Sequence, residues 1–165
     1  PLRVDHPEEV GTDRILNALA AFRLYGGPAV VLDFGTATTF DCISKSGEYL
    51  GGAILIGPNL AAEALAQRTA QLPQVSVIEP KRVVGKNTVE CIQAGLFYGY
   101  LGMVQEILGR TLKEMKTRVP ACRILLTGGI GGVFEKKMKI KGKFVPDLTL
   151  QGLRLAHDIL AERKR

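Results

Sequence analysis

The residues of this chain whose types and spacing suit chemistry lie in four short strings. The first is Asp33-Phe34-Gly35-Thr36-Ala37-Thr38-Thr39. It follows the apolar run Ala29-Val30-Val31-Leu32 and runs into Thr39-Phe40-Asp41-Cys42-Ile43-Ser44. An acid therefore closes one strand, the chain turns through Gly35-Thr36, and a second strand leaves. Glycine at the turn permits positive φ and lets backbone come close to a ligand. Three threonine hydroxyls and the turn N–H groups suit phosphate oxygens, and an aspartate at a strand end can hold a cation beside them. The same string is also what a tight hairpin with β-branched strands contains. The second string, Gly11-Thr12-Asp13-Arg14, opens a helical pattern, where Thr12 or Asp13 serves equally as a simple cap. The third, Gly85-Lys86-Asn87-Thr88, precedes the longest helical pattern, and Thr88 there also reads as a cap. The fourth, Thr127-Gly128-Gly129, ends the apolar run from Arg123 and fits a strand-to-helix turn.

These strings need elements to hold them. Ile15, Leu16, Leu19, Ala20, Phe22 and Leu24 have helical spacing, and Gly26-Gly27-Pro28 stops the helix. Lys45-Ser46-Gly47 is a second turn and Tyr49–Ile56 a third strand, which makes an antiparallel meander. Gly51-Gly52 inside that strand marks a bulge or a close ligand approach. Leu60 to Ala70 reads as a helix ended by Leu72-Pro73. Phe97, Tyr100, Leu101, Val104, Ile107 and Leu108 form the apolar face of the long helix. Gly95, Gly99 and Gly102 form another stripe on it. Each costs a helix about 1 kcal/mol against alanine, so a close neighbour is expected. The sheet of the same chain is favoured over a helix of a second subunit. Phe144–Asp147 is a short last strand and Leu148–Ala161 a closing amphipathic helix. The order predicts an α/β fold with a mixed five-stranded sheet, three strands antiparallel and two parallel through right-handed crossovers, flanked by helices.

At 165 residues the chain is one domain by length. No apolar run approaches the roughly 20 residues of a membrane span, and no leader is visible at the start. Cys42, Cys91 and Cys122 form no metal pattern, and two lie in core segments, which points to reduced thiols in a cytoplasmic protein. His6 and His157 read as surface residues. The net charge of +6 is concentrated in Lys136–Lys143 and in Arg163-Lys164-Arg165. It reads as a solvated face and a frayed end, with attraction of anions such as ATP as the functional option. No aromatics interleave with these charges as nucleic-acid stacking would need.

Taken together, the strings resemble those of type III pantothenate kinases, in the actin-like, ribonuclease H-like kinase superfamily. Asp33–Thr39 with Phe40-Asp41 is similar to the family's second phosphate motif. Gly11–Arg14 is similar to its G-A-D-R motif with threonine for alanine, and Gly85–Thr88 matches its G-K-N-T. Gly51-Gly52-Ala53-Ile54 and Thr69-Ala70-Gln71-Leu72-Pro73 match two further segments, although Asn59 stands where glycine is usual. The resemblance implies that Asp13 is the base that takes the proton of the substrate hydroxyl. It implies that Gly11, Thr12, Asp13 and Arg14 hold pantothenate, Arg14 by pairing with a polar or anionic group. Gly35 and Thr36 would bind ATP, which brings Mg2+. Asp33 would hold a monovalent cation, potassium or ammonium, and Thr88 would reach the pantothenate site of a partner subunit in a homodimer.

The resemblance covers one ribonuclease H-like lobe, residues 1–165, with the substrate motif on the helix of residues 1–27. The family's other lobe, with its D-x-G-N-T motif, has no match in these residues, so it is expected in cis or in trans unless this is a relative that has lost it together with activity. The function implied is ATP-dependent phosphorylation of pantothenate to 4′-phosphopantothenate, at the start of coenzyme A synthesis. Two alternatives stand beside it: a non-catalytic regulatory or transcriptional accessory protein on the same scaffold, and a kinase of another small hydroxylated acid or sugar.

Overall fold

The computed structural model describes residues 1–162; the basic end Arg163–Arg165 lies outside the described residues. Five strands form one sheet in the order β3-β2-β1-β4-β5. Strands β1 (Ala29–Phe34), β2 (Ala37–Ile43) and β3 (Tyr49–Ile56) are the antiparallel meander. Strands β4 (Arg123–Thr127) and β5 (Lys143–Phe144) add in parallel beyond β1. This is the mixed α/β sheet expected. The last strand is shorter than Phe144–Asp147: Val145 still donates to Leu126 O at 2.7 Å, and Pro146 has no N–H to continue the ladder.

Strand alternation divides the core. Val30, Leu32 and Phe34 join Phe97, Tyr100, Val104 and Leu108 of the long helix α3 (Thr88–Glu114) and Phe134 of the short α4 (Gly131–Glu135). The Phe134 ring stacks between Phe34 and Phe97, with both centroid distances 5.4 Å. Ala29 and Val31 face the other way, against Ala18, Ala20 and Ala21 of α1 (Thr12–Tyr25) and Leu148 of α5 (Leu148–Glu162). Helix α2 (Pro58–Arg68) packs on α3. The sheet thus has helices on both faces, which is why β1 reads as a continuous apolar run. Helices α1 and α5 approach so closely that a Cβ on Gly152 would lie 2.1 Å from Leu16 O.

Four local expectations are corrected. The cap of α1 is Gly11, not Thr12 or Asp13. The cap of α3 is Asn87, whose side chain accepts from Glu90 N at 2.9 Å, and Thr88 is the first helical residue. Glu90 reaches back to Lys86 N at 2.9 Å, a variant of the reciprocal capping box. The glycine stripe on α3 does not lie on the sheet: a Cβ at Gly95, Gly99 or Gly102 would have no other atom within 4 Å, and the same holds at Gly109. At Gly35 φ is not positive; that role falls to Gly26, Gly47, Gly51 and Gly128. The bulge anticipated at Gly51-Gly52 is present, as a register shift opposite Cys42 and Ile43. Gly52 is required there because a Cβ would fall 1.5 Å from Phe40 O.

Candidate active site

Two of the strings meet where α1 begins and β1 ends. Asp33 sits on the face of β1 that looks at α1, in register with Thr39 of β2 and Thr127 of β4. Asn17, one turn beyond Asp13 on α1, is fully buried and donates from Nδ2 to Asp33 Oδ2 at 2.9 Å. Its Oδ1 accepts from Thr149 of α5 at 2.7 Å, which fixes the orientation of the amide. Burial pushes the Asp33 carboxyl up from the ordinary carboxylate range; the Asn17 bond opposes this, and the neighbouring charge of Asp13 adds to it. Asp13 itself is exposed in the first turn of α1. Its Oδ1 packs over Gly11, where any Cβ would come within 2.6 Å of it. Glycine at position 11 leaves that carboxylate its place.

Arg14 turns from the same helix toward β2. Its Nε donates to Asp41 Oδ1 at 2.7 Å, and its guanidinium carbon lies 5.7 Å from the centre of the Tyr49 ring. Asp41 is fully buried and also accepts from Tyr49 OH and from Thr39 Oγ1, both at 3.0 Å. Burial raises the Asp41 carboxyl above its ordinary range, against the pull of the Arg14 guanidinium and the two hydroxyls.

Of the three threonines proposed as phosphate donors, one is open. Thr36 is exposed in the turn. Thr38 is buried and bonded by Tyr100 of α3, while Thr39 is spent on Asp41. The turn is braced from β3, since Gly57 N donates to Thr36 O at 2.9 Å and a Cβ on Gly57 would strike Thr36 O at 2.2 Å. Gly128, with φ +86°, presses on the Phe34 backbone, where a Cβ would meet Phe34 N at 2.6 Å. The Thr127–Gly129 and Asp33–Thr36 turns therefore share one end of the sheet.

Thr88 is not brought to Gly11–Arg14 within the chain. It is exposed at the start of α3, which packs on the sheet face opposite α1. Sequence reasoning named Gly11, Thr12, Asp13, Arg14, Asp33, Gly35 and Thr36, and all lie at the meeting of α1 with the β1–β2 turn. It missed Asn17 and Asp41. Asn17 sits four residues after Asp13, on the same helical face, which was a readable signal. Asp41 lies between the core residues Phe40 and Cys42, and a buried acid there is itself anomalous.

Among the described residues no helix is long and apolar enough to cross a membrane. None of their His, Cys, Asp and Glu side chains gather in threes to hold a metal.

Comparisons with known proteins bear on the same arrangement. Residues 1–110 match the family model described as type III pantothenate kinase. A type III pantothenate kinase of Moorella thermoacetica is 48% identical over 158 residues, covering 96% of this chain and 61% of that protein. One from Thermobifida fusca is 49% identical over 155 residues, covering 94% and 60%. The chain thus spans about three fifths of the length of the curated relatives it matches. Two solved structures share the fold. A conserved protein assigned to the Baf family of transcriptional activators, from Campylobacter jejuni, has a TM-score of 0.57 at 24% identity, over 96% of this chain and 67% of that one. The activator of 2-hydroxyisocaproyl-CoA dehydratase from Clostridium difficile, with bound ADPNP, has a TM-score of 0.55 at 12% identity, over 92% and 68%.

Proposed function

The chain belongs to the type III pantothenate kinase family, and on that premise we propose that it is the second lobe of a kinase that transfers the γ-phosphoryl group of ATP to pantothenate. The observation that carries this reading is the Asn17–Asp33 bond, because it draws the helix of Gly11–Arg14 onto the strand that leads into Gly35-Thr36. An acceptor held at α1 would thereby stand beside a phosphate held at the turn. Asp13 takes the proton of the acceptor hydroxyl as its oxygen bonds to the γ-phosphorus and ADP leaves. Such transfer is mostly positioning and charge stabilisation, so an ordinary ionised aspartate serves as acceptor of the proton. Arg14 pairs with the pantothenate carboxylate, and Thr36 with the backbone at Gly35 holds phosphate oxygens.

The donor set at Asp33 fits a monovalent cation better than a dedicated magnesium. One carboxylate oxygen is committed to Asn17, and no group of three or more His, Cys, Asp or Glu side chains that could hold a metal forms among the described residues. Magnesium prefers several waters and the phosphates themselves. Potassium or ammonium at Asp33 would supply positive charge beside the phosphates, with Mg2+ arriving on ATP. The remaining lobe, in cis or in trans, would supply the other phosphate contacts in a cytoplasmic enzyme. Thr88 would serve the site of a second copy, a reading supported by its place on the far face of the sheet and by the open glycine stripe on the same helix.

The kinase reading is supported over nucleic-acid binding by the use of the basic stretch itself. Lys137 pairs with Glu79 at 2.7 Å, and Lys143 lies 4.9 Å from the centre of the Tyr25 ring. The test is ATP-dependent phosphate transfer to pantothenate by the chain joined to its other lobe. Turnover is expected, with loss of at least about a hundredfold in Asp13→Asn, the usual size of a general-base contribution. Turnover no greater than that of Asp13→Asn refutes the assignment.

A further inference from the structure

We propose that Asp41, with Tyr49, is a positioning residue that fixes the Arg14 guanidinium for recognition of the substrate's carboxylate. This rests on the reading of Arg14 as the acid-binding group. A buried ion pair such as this is weak evidence of a stabilising role. Asp41 has no exposed surface, in a strand whose neighbours Phe40, Cys42 and Ile43 are core. Exchanging a buried pair of this kind for apolar residues is often neutral or stabilising, so its presence points to a task other than stability.

The geometry indicates the task. A guanidinium is a rigid planar fork, and fixing one nitrogen on one side of it fixes the direction of the rest. Asp41 takes the Nε–H at 2.7 Å. The Tyr49 ring lies alongside the guanidinium, and Tyr49 OH holds the same Asp41 oxygen that Arg14 does. Thr39 holds the other oxygen. Asp41 therefore has both carboxylate oxygens engaged and cannot swing. The plane of Arg14 is set on two sides, and no other acid in the described residues pairs with it. Its Nη donors remain for a ligand. Gly52 backs onto one of them, since a Cβ there would stand 3.4 Å from it, and 15% of the Arg14 side chain is exposed. Two terminal N–H groups of a fixed fork match the two oxygens of a carboxylate.

The test compares pantothenate with pantothenol, the same molecule with its carboxylate replaced by a neutral hydroxymethyl group, in the full-length enzyme. The parent should prefer the acid. Asp41→Asn should raise KM for pantothenate by about tenfold or more, leave that for pantothenol within about threefold, and leave kcat for both nearly unchanged, the pattern of lost uniform binding. Arg14→Lys should also raise KM for pantothenate, and combining the two should add little to that rise, since both remove one oriented fork. An Asp41→Asn enzyme that keeps the parent's preference overturns the inference. If that variant does not fold, Tyr49→Phe decides: it keeps the ring, removes one donor to Asp41, and should lower the preference for the acid by about threefold. An unchanged preference in Tyr49→Phe also overturns it. A parent enzyme that turns over both compounds equally would instead refute the role of Arg14 and leave the kinase assignment standing.

Discussion

At the scale of single residues, the site is held by buried polar groups whose every bond is used. No buried side-chain nitrogen or oxygen among the described residues lacks a partner. Asn17 is the clearest case, because its amide bridges β1 and α5 through Asp33 and Thr149. Asn17→Ala would leave a half-buried carboxylate and a threonine hydroxyl without partners. A stability loss of about 1–3 kcal/mol is expected, read from the urea midpoint. In the full-length enzyme Asp33→Ala should abolish dependence on potassium, and Asn17→Ala should weaken it; potassium dependence intact in Asp33→Ala would leave Asp33 a turn residue. The thiols give a pH prediction with a definite sign. Burial pushes Cys42 up to about 12 and Cys122 to about 11, from an ordinary 9.0. The unfolded chain therefore loses these protons first. Their contribution is fully present below pH 9.0 and is lost as pH rises toward the folded values. At about pH 10.5 the loss should be on the order of 2 kcal/mol for each thiol. Replacing both with alanine should flatten the alkaline limb of stability against pH, whatever it costs at neutral pH. A thiol reagent should label only Cys91, the exposed one, until the chain unfolds.

At the scale of elements, glycines separate two kinds of close approach. Gly52→Ala places a methyl within the backbone of β2 and should prevent folding or cost several kcal/mol, on the order of the largest single-residue effects. Gly99→Ala meets nothing in the chain and should stabilise α3 by about 1 kcal/mol, seen as a rise in the melting temperature of the monomeric chain. The contrast marks how far the sequence could be read. Every strand, the long α3 and the closing α5 were legible, because alternation, helical spacing and Gly or Pro stops all agreed. The convergence of Gly11–Arg14 with Asp33–Thr36 was legible as two strings but not as one place, since it depends on α1 folding back on β1. The glycine stripe was legible as a stripe, but its neighbour was misassigned: helical periodicity gives the face of a helix and not what covers it. The threonines were overcounted for a related reason. Alternation sends Thr38 to the α3 core and Thr39 to Asp41, leaving Thr36 alone at the open turn. The network of Asn17 and Asp41 was hidden because the bonds that tie it together, Arg14 to Asp41, Asn17 to Asp33 and Thr149 to Asn17, join residues far apart in the chain.

At the scale of the whole molecule, the open stripe on α3 bears on assembly. Gly95, Gly99, Gly102 and Gly109 follow each other along one exposed face of a 27-residue helix, and four such residues are expensive to keep where nothing packs. Two copies of this face, related by a two-fold axis, would bury it by bringing the helix backbones together. Thr88 begins the same helix, so the same pairing would carry it toward the second copy, where the Gly11–Arg14 site lies on the face its own chain cannot reach. Gly99→Leu separates this from packing within the chain. Because the position is open in the monomer, the variant should fold with unchanged circular dichroism and an unchanged or higher melting temperature. Light scattering should show the full-length enzyme shifted from dimer to monomer, since leucine overpacks such a contact by about 1–3 kcal/mol or more on each side. Pantothenate affinity should fall in the same variant and in Thr88→Ala, which should remain dimeric. A Gly99→Leu monomer that binds pantothenate as tightly as the parent would break the link between assembly and the site. A Gly99→Leu dimer would show that the stripe faces something other than its own copy.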